Sequence, residues 1–515
     1  MLSHLVVPKT VRLLAVLALL SVTLPGGSPV WADQGTDTGN VIEGFSGNSV
    51  TDGVDGGTIS GGGQVSFPNL VTLDFGVVSG GKDNLAGNYS TVSGGKSNTA
   101  EGIRASIGGG ENNEASRNSA VIAGGYSNTA SQSFATVGGG TVNTADASYA
   151  TISGGTGNLA TGRISTIGGG TRNKTQSAYA TIGGGSFNLA IGGTSTIAGG
   201  TQNHAPGIGS AIGGGAGNNA AGLQSVIAGG LSNRVTDNYS VVAGGRQNVA
   251  GNKNEDTEDR PYASVGGGYE NQAGGAYSTV PGGYGNLAMG DYSFAAGNSA
   301  HIKSEHPGVF LFADSNDFVF GSAAPNEFAA RATGGVRFVT AIDNKGTQLA
   351  GVRLAQGSGS WESLSDRNAK ASILPVDGRE VLGALMNVPI STWNYRGQSQ
   401  AVQHMGPMAQ DFYAAFGLGQ DEHYIGSVDA DGVALASIQG LYQLVQEKDA
   451  KIAALEKQNT DQEKRLDDFE ARLASLEKDS GQLPSQSYGF WFGIVSLIVG
   501  LVAGRYLLTP RMLSN

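Results

Sequence analysis

Residues 136–150 read TVGGGTVNTADASYA, residues 151–165 read TISGGTGNLATGRIS, and residues 166–180 read TIGGGTRNKTQSAYA. The three stretches superimpose without a gap, and their frame runs far beyond them. Asn98, Asn113, Asn128, Asn143 and Asn158 stand 15 residues apart, and the same step continues through Asn173 to Asn248. Asn84 precedes Asn98 by 14 residues. Asn271 follows Asn248 after an excess of eight residues over the unit, and Asn286 comes 15 later. The excess falls at 252–259, a polar, acidic run that reads as a surface loop inserted into one unit.

Each unit repeats one environment. Val or Ile stands six residues before the Asn, two glycines stand four and three before it, and two after it is usually Ala. The β-branched stretch predicts a short strand. The glycine pair predicts a turn with positive φ or a close backbone approach. An Asn at such a corner tolerates the left-handed region or bonds the neighbouring unit. One unit cannot bury its apolar residues alone, so units must stack into a parallel β-solenoid. Some 14 rungs at about 4.8 Å each make a rod of roughly 65–70 Å. One Val or Ile per unit is a thin core, which predicts lateral association of several chains, most simply a trimer.

Composition bounds the function. The 515 residues include 85 Gly, 14 Pro and no Cys, with a formal net charge of −11. Without glycine at every third position the chain is not collagen-like. The acidic balance excludes the basic stripe of a nucleic-acid binder. The lack of Cys excludes disulfides, thiolate metal sites and a thiol nucleophile. Regular Ca²⁺-binding β-roll motifs are missing too, and no cofactor or metal is expected.

The two ends predict export and tethering. Lys9 and Arg12 precede an apolar run from Leu13 to Leu24, and Val30-Trp31-Ala32 offers a small residue for cleavage. Residues 1–32 therefore read as a secretory signal. Tyr488 to Leu508 is apolar with a single charge, Arg505, and carries Trp491 and two Phe at its start. That length spans a hydrocarbon core, and Arg505 and Arg511 place the C-terminus inside. The expectation is a head held outside the cytoplasm, periplasmic or at the cell surface, with a lipid bilayer as partner at 488–508.

Over about residues 75–300 the array resembles the YadA-like heads of trimeric autotransporter adhesins, down to the closing Asp291-Tyr292-Ser293-Phe294-Ala295-Ala296-Gly297. The resemblance implies a trimeric parallel β-roll. The regular Gly-Gly-x-x-Asn unit makes it a relative rather than a copy, and no run of amphipathic strands follows that could form a barrel anchor. Residues 33–74 read as a lead-in. Residues 301–364 read as a β-rich adaptor, with strands at Val309–Phe312, Phe318–Phe320 and Gly335–Val339 and a flexible Gly/Ser linker from Leu354 to Ser360.

Ser365-Asp366-Arg367-Asn368-Ala369-Lys370 follows. A Lys amine taken out of water can accept a Ser hydroxyl proton, so Ser365 and Lys370 are a candidate nucleophile and base. The bland alternative is Ser365 as a helix cap or turn residue with Lys370 solvated. The segment 365–480 resembles the intramolecular chaperone at the C-terminus of phage endosialidases and other tail-spikes, and of myelin regulatory factor. The shared features are Ser365-Asp366 with Lys370, then Ile373, Trp393-Asn394-Tyr395, Gly406-Pro407-Met408-Ala409-Gln410-Asp411 and a closing helix from Ser437. The resemblance implies a homotrimer that cuts itself once at Leu364–Ser365, with Ser365 as nucleophile and Lys370 as general base. Many relatives carry Arg three residues after the Ser, where this chain has Asn368. His404 reads as structural.

Helices are expected at Glu380–Met386 and Met408–Phe416. From Ile438 a heptad seam runs through Leu441, Val445, Ile452, Leu455, Leu466, Phe469, Leu473 and Leu476, interrupted by Lys448, Asn459 and Gln462. It predicts a coiled coil over 437–480. The whole is expected to be mainly β: a trimeric solenoid head (75–300), a small α+β chaperone (365–436), a coiled coil and one transmembrane helix. Such a chain is a surface or adhesin-like rod with an extracellular glycan or protein as ligand, and its only enzymatic act is self-cleavage. Two alternatives stand beside it: a permanently tethered stalk without cleavage, and a glycan-degrading enzyme. Glycosidases need paired carboxylates, and Glu101, Glu111, Glu114 and Asp146 lie at scattered register.

Overall fold

The computed structural model describes residues 31–32, 39–252, 254, 256–480, 493 and 495. They form two compact units, divided between Val336 and Arg337.

The first unit is a parallel β-solenoid of about 19 turns. A turn supplies two short strands and one bridging residue. In the turn that begins at Thr136, strand Thr136–Val137 pairs with Thr151–Ile152 of the next turn. Thr141 bridges to Thr156, and Thr144–Ala145 pairs with Leu159–Ala160. The 15-residue step of the sequence is thus the register of the ladder. The ladder also outruns the sequence repeat. It starts at Val41–Ile42 in the expected lead-in, and Phe310–Ala313 and Phe328–Arg331 of the expected adaptor continue it. Strand Trp31–Ala32 pairs antiparallel with Val41–Ile42. The rest of the expected signal peptide lies outside the described residues.

The core holds more than one Val or Ile per turn. Around the turn that begins at Thr151, Ala150, Ile152, Asn158 and Ala160 are all buried. A single chain therefore fills its own interior, so the thin-core argument for lateral association does not hold.

The asparagines form a buried ladder. The Asn158 amide donates to the carbonyls of Gly154 at 2.9 Å and Gly170 at 3.0 Å, and its Oδ1 accepts the backbone N–H of Asn173 at 3.0 Å. Asn98, Asn113, Asn128 and Asn143 make the same bonds at their own turns. One amide thereby bonds three backbone groups at the corner, one of which, the Gly170 carbonyl, also accepts the Thr156 N–H. The second glycine of each pair is required there. At Gly155, φ is +93° and a Cβ would sit 2.1 Å from the Gly170 carbonyl oxygen.

The described residues of the 252–259 excess form no strand, as a loop predicts. Val241 pairs with Ser264 and Val249 with Gln272 across it, and the asparagine ladder passes unbroken from Asn248 to Asn271.

The second unit opens with a three-stranded sheet, Val336–Ile342, Gln348–Leu354 and Trp361–Ser363. Helix α1 (Gly378–Leu385), an antiparallel pair of strands (Ser391–Trp393 with His404–Gly406), helix α2 (Ala409–Phe416) and helix α3 (Ser427–Ser480) follow. Helices α1 and α3 touch backbone to backbone. A Cβ on Gly440 would lie 2.1 Å from the Gly378 carbonyl oxygen, and Arg379 pairs with Glu447 beside the crossing. Few side chains are buried here: Val388, Phe412, Val433, Ala436 and Ser437. Ile373, Leu374, Val376, Met386, Met405 and Tyr424 are exposed, as is the α3 seam at Ile438, Leu441, Val445, Ile452 and Leu455.

Two expectations are corrected. The Leu354–Ser360 stretch is not a free linker but the connection of an antiparallel hairpin, with Leu354 opposite Trp361. The transmembrane helix is not supported: among the described residues no helix is long and apolar enough to cross a membrane. The expected span, 488–508, lies outside the described residues apart from Gly493 and Val495. Helix α3 does not serve as a span in its place, because charged residues run along its whole length.

Candidate functional site

The hairpin and a tight turn meet at Ser365. Strand Trp361–Ser363 runs antiparallel to Gln348–Leu354. Past its end, the Leu364 N–H donates to the Gly351 carbonyl at 3.0 Å, which extends the ladder to the residue before the serine. Gly351 has φ +145°, and a Cβ there would lie 2.1 Å from the Phe338 carbonyl oxygen, so only glycine lets the sheet close. Phe338 and Trp361 rings meet at 5.7 Å across the same sheet. The Arg353–Glu362 ion pair is solvated and adds little.

Beyond the serine the chain turns at once. Asp366 caps a 3-10 turn, Arg367–Ala369, by accepting the Asn368 N–H at 2.8 Å. The turn closes with the Lys370 N–H on the Arg367 carbonyl at 3.2 Å. It folds the chain back so that the Lys370 ammonium Nζ donates to Ser365 Oγ at 2.7 Å. The cap is therefore Asp366, which leaves the Ser365 hydroxyl to the lysine.

Both side chains are exposed, as is Leu364. A hydroxyl held by an amine has the geometry for proton transfer, but an amine accepts a proton only in its neutral form. Removing such a group from water favours that form. In one chain the two groups are held together but solvated.

His404 lies elsewhere in the unit. Its ring packs against Trp393 at 4.8 Å and Tyr395 at 5.6 Å, and its Nε2 meets Gln398 Oε1 at 3.0 Å. Among the described residues no group of three or more His, Asp or Glu is placed to hold a metal ion. Two positioning residues escaped the sequence reading. Asp366 is one, signalled by an Asp two residues before the N–H that it caps. Gly351 is an isolated glycine inside a strand pattern, which flags a close backbone approach.

Residues 365–418 match the protein family described as chaperone of endosialidase. The match begins at the serine itself and takes in the turn, α1, the antiparallel pair and α2. No curated protein matches the chain.

Proposed function

We propose that this protein is an exported, adhesin-like rod whose C-terminal unit aligns three chains and then cuts each of them once, at Leu364–Ser365. The observation that carries the reading is the 2.7 Å bond from Lys370 Nζ to Ser365 Oγ at the first residue of the chaperone-of-endosialidase match. In the reaction, Ser365 Oγ attacks the Leu364 carbonyl while Lys370, neutral once covered, takes the hydroxyl proton. The amine of Ser365 leaves, and water resolves the resulting ester. Each chain carries both groups, so cleavage needs no partner side chain. Covering by neighbouring chains supplies the missing desolvation.

Assembly of copies is supported by the exposed apolar residues of the second unit. A monomer leaves the α3 seam and Leu374, Val376 and Met386 in water, and exposed apolar side chains in such number suit an interaction face. Burying them between copies removes that cost and provides a coiled coil over the later part of α3. Export is supported by the basic and apolar pattern of the first 32 residues.

The test is a blot of the full chain, tagged near Asp33 and at Asn515. Two fragments are expected from wild type, and one intact chain from Ser365→Ala and from Lys370→Ala. An intact chain in all three would leave the second reading, an uncleaved rod in which the C-terminal unit only aligns chains. Asn368, standing where many similar domains have Arg, is the observation that favours that alternative.

A further inference from the structure

Stacked rings recur along the solenoid, as at Phe134 and Tyr149, and one stretch carries two stacked columns side by side. Tyr239, Tyr262, Tyr277 and Tyr292 occupy one column on successive turns, with rings stacked 5.1, 5.0 and 5.2 Å apart. Tyr269 and Tyr284 stack at 5.5 Å in a second column, and Arg246 lies over Tyr269. The two columns border the same strip of each turn. Between Tyr262 and Tyr269 lie Ala263, Ser264, Val265 and three glycines, and between Tyr277 and Tyr284 lie Ser278, Thr279, Val280, Pro281 and two glycines. Val265 and Val280 point into the core, so the strip is paved with small residues and the Ser264 and Thr279 hydroxyls.

We infer that this strip is a binding track for a linear, uncharged glycan lying along the rod. This rests on reading the head as a displayed binding rod, and it names the ligand class. Three features select the occupant. First, the floor between the columns holds no charged residue; the cation on its border, Arg246, is seated on the Tyr269 ring, and Arg260 is paired with Asp291. A polyanion would find no row of cations along the floor.

Second, the floor cannot accept a peptide strand. Its N–H groups are spent between turns, as in Ser264 to Ser278 at 2.9 Å, Gly266 to Val280 at 2.9 Å and Tyr269 to Gly283 at 3.0 Å. Third, inside each column the ring faces cover one another, so the columns offer ring edges and, apart from Tyr269, whose hydroxyl meets Glu270, their hydroxyls. A polymer with hydroxyls repeating at about the strand spacing can bond both borders in register, with its apolar sugar faces over the glycine floor. Tyr292, at 68% exposure, leaves one ring face free at the end of the track.

The experiment is affinity electrophoresis of the full chain in gels containing xylan, mixed-linkage β-glucan or the anionic polymer hyaluronan. We expect retardation by at least one neutral polymer and none by hyaluronan. Tyr277→Ala with Tyr284→Ala should weaken it at least tenfold. Tyr179→Ala, in the same column but without a stacked neighbour, should leave it unchanged. Should the double alanine variant misfold, Tyr277→Phe with Tyr284→Phe keeps the stacks, removes the hydroxyls and should still weaken binding. No retardation by either neutral polymer, retardation by hyaluronan alone, or full retention in the phenylalanine variant overturns the inference. Wild type that yields two fragments yet is not retarded overturns the track and leaves the assembly reading standing. An uncleaved chain that is retarded does the reverse.

Discussion

Asp237 shows how a single residue couples the solenoid to pH. Its side chain is buried, one oxygen accepts the Asn252 N–H at 3.0 Å, and Oδ1 has no partner. Burial raises its pKa to about 6, Asp259 and Asp256 push the same way, and the bonds from Asn252 and Thr236 oppose them. The folded chain therefore holds this proton more tightly than the unfolded chain, whose value is near 3.8. The resulting stability is full below about 3.8 and is lost as pH rises through about 6. Thermal melting followed by circular dichroism should show the melting temperature falling between pH 4 and pH 7, and Asp237→Asn should flatten that slope. An equal slope in both proteins would remove Asp237 as its source. Nothing in the sequence marks this residue. Gly222 and Gly207 precede it in the same column, and it is the 252–259 loop, arriving later in the chain, that encloses it. Asn158 and its fellows were legible for the opposite reason: every turn imposes the same demand, so the chain repeats the same answer.

At the scale of elements, the hairpin before Ser365 matters most. The Gly351 carbonyl fixes Leu364, and Asp366 fixes the turn, so the bond proposed to be cut, Leu364–Ser365, is held on both sides by local structure. Gly351→Ala places a Cβ 2.1 Å from the Phe338 carbonyl, which forces the strands apart or shifts their register. Self-cleavage should slow by roughly an order of magnitude or more, as a misplacement of about 1 Å does in positioned reactions. The ratio of fragment to intact chain over time measures it, while the melting of the solenoid should stay as in wild type. Cleavage at the wild-type rate would show that the hairpin does not position the bond. This hairpin was misread because Gly and Ser between Leu354 and Ser360 suit a linker and a turn equally well, and composition does not separate them. The helices were legible to within a few residues at α1 and α2. Helix α3 begins at Ser427, before Ile438, in a stretch that the heptad pattern does not cover, and it meets α1 at Ala436 and Gly440. Both ends of the solenoid were missed for a related reason. Val41–Ile42 and Phe328–Arg331 keep the strand pairing but lack the Gly-Gly-x-x-Asn frame that made the middle visible.

For the whole molecule, the difficulty is registration. Turn after turn offers the same pairing partners, so chains that meet out of step lose little contact and have no local signal to correct it. Such non-local β structure is also slow to form and prone to aggregate while incomplete. If copies pair through the exposed seam of α3, as proposed, it would provide what the rungs lack, a pattern in which Lys448, Asn459 and Gln462 interrupt the apolar positions at unequal intervals and so disfavour slipped pairings. Deleting residues 448–480 leaves the α1 crossing and the Arg379–Glu447 pair intact but removes most of the seam. The deleted chain should lose trimers in light scattering, leave more protein in the insoluble fraction, and stay uncut at Leu364–Ser365, since nothing then covers Lys370. Wild type whose fragments were separated after assembly should keep a soluble head, because alignment is needed only while the rungs form. If the deleted chain still assembles and cuts itself, alignment resides in residues 365–447, and the seam serves only to lengthen the stalk.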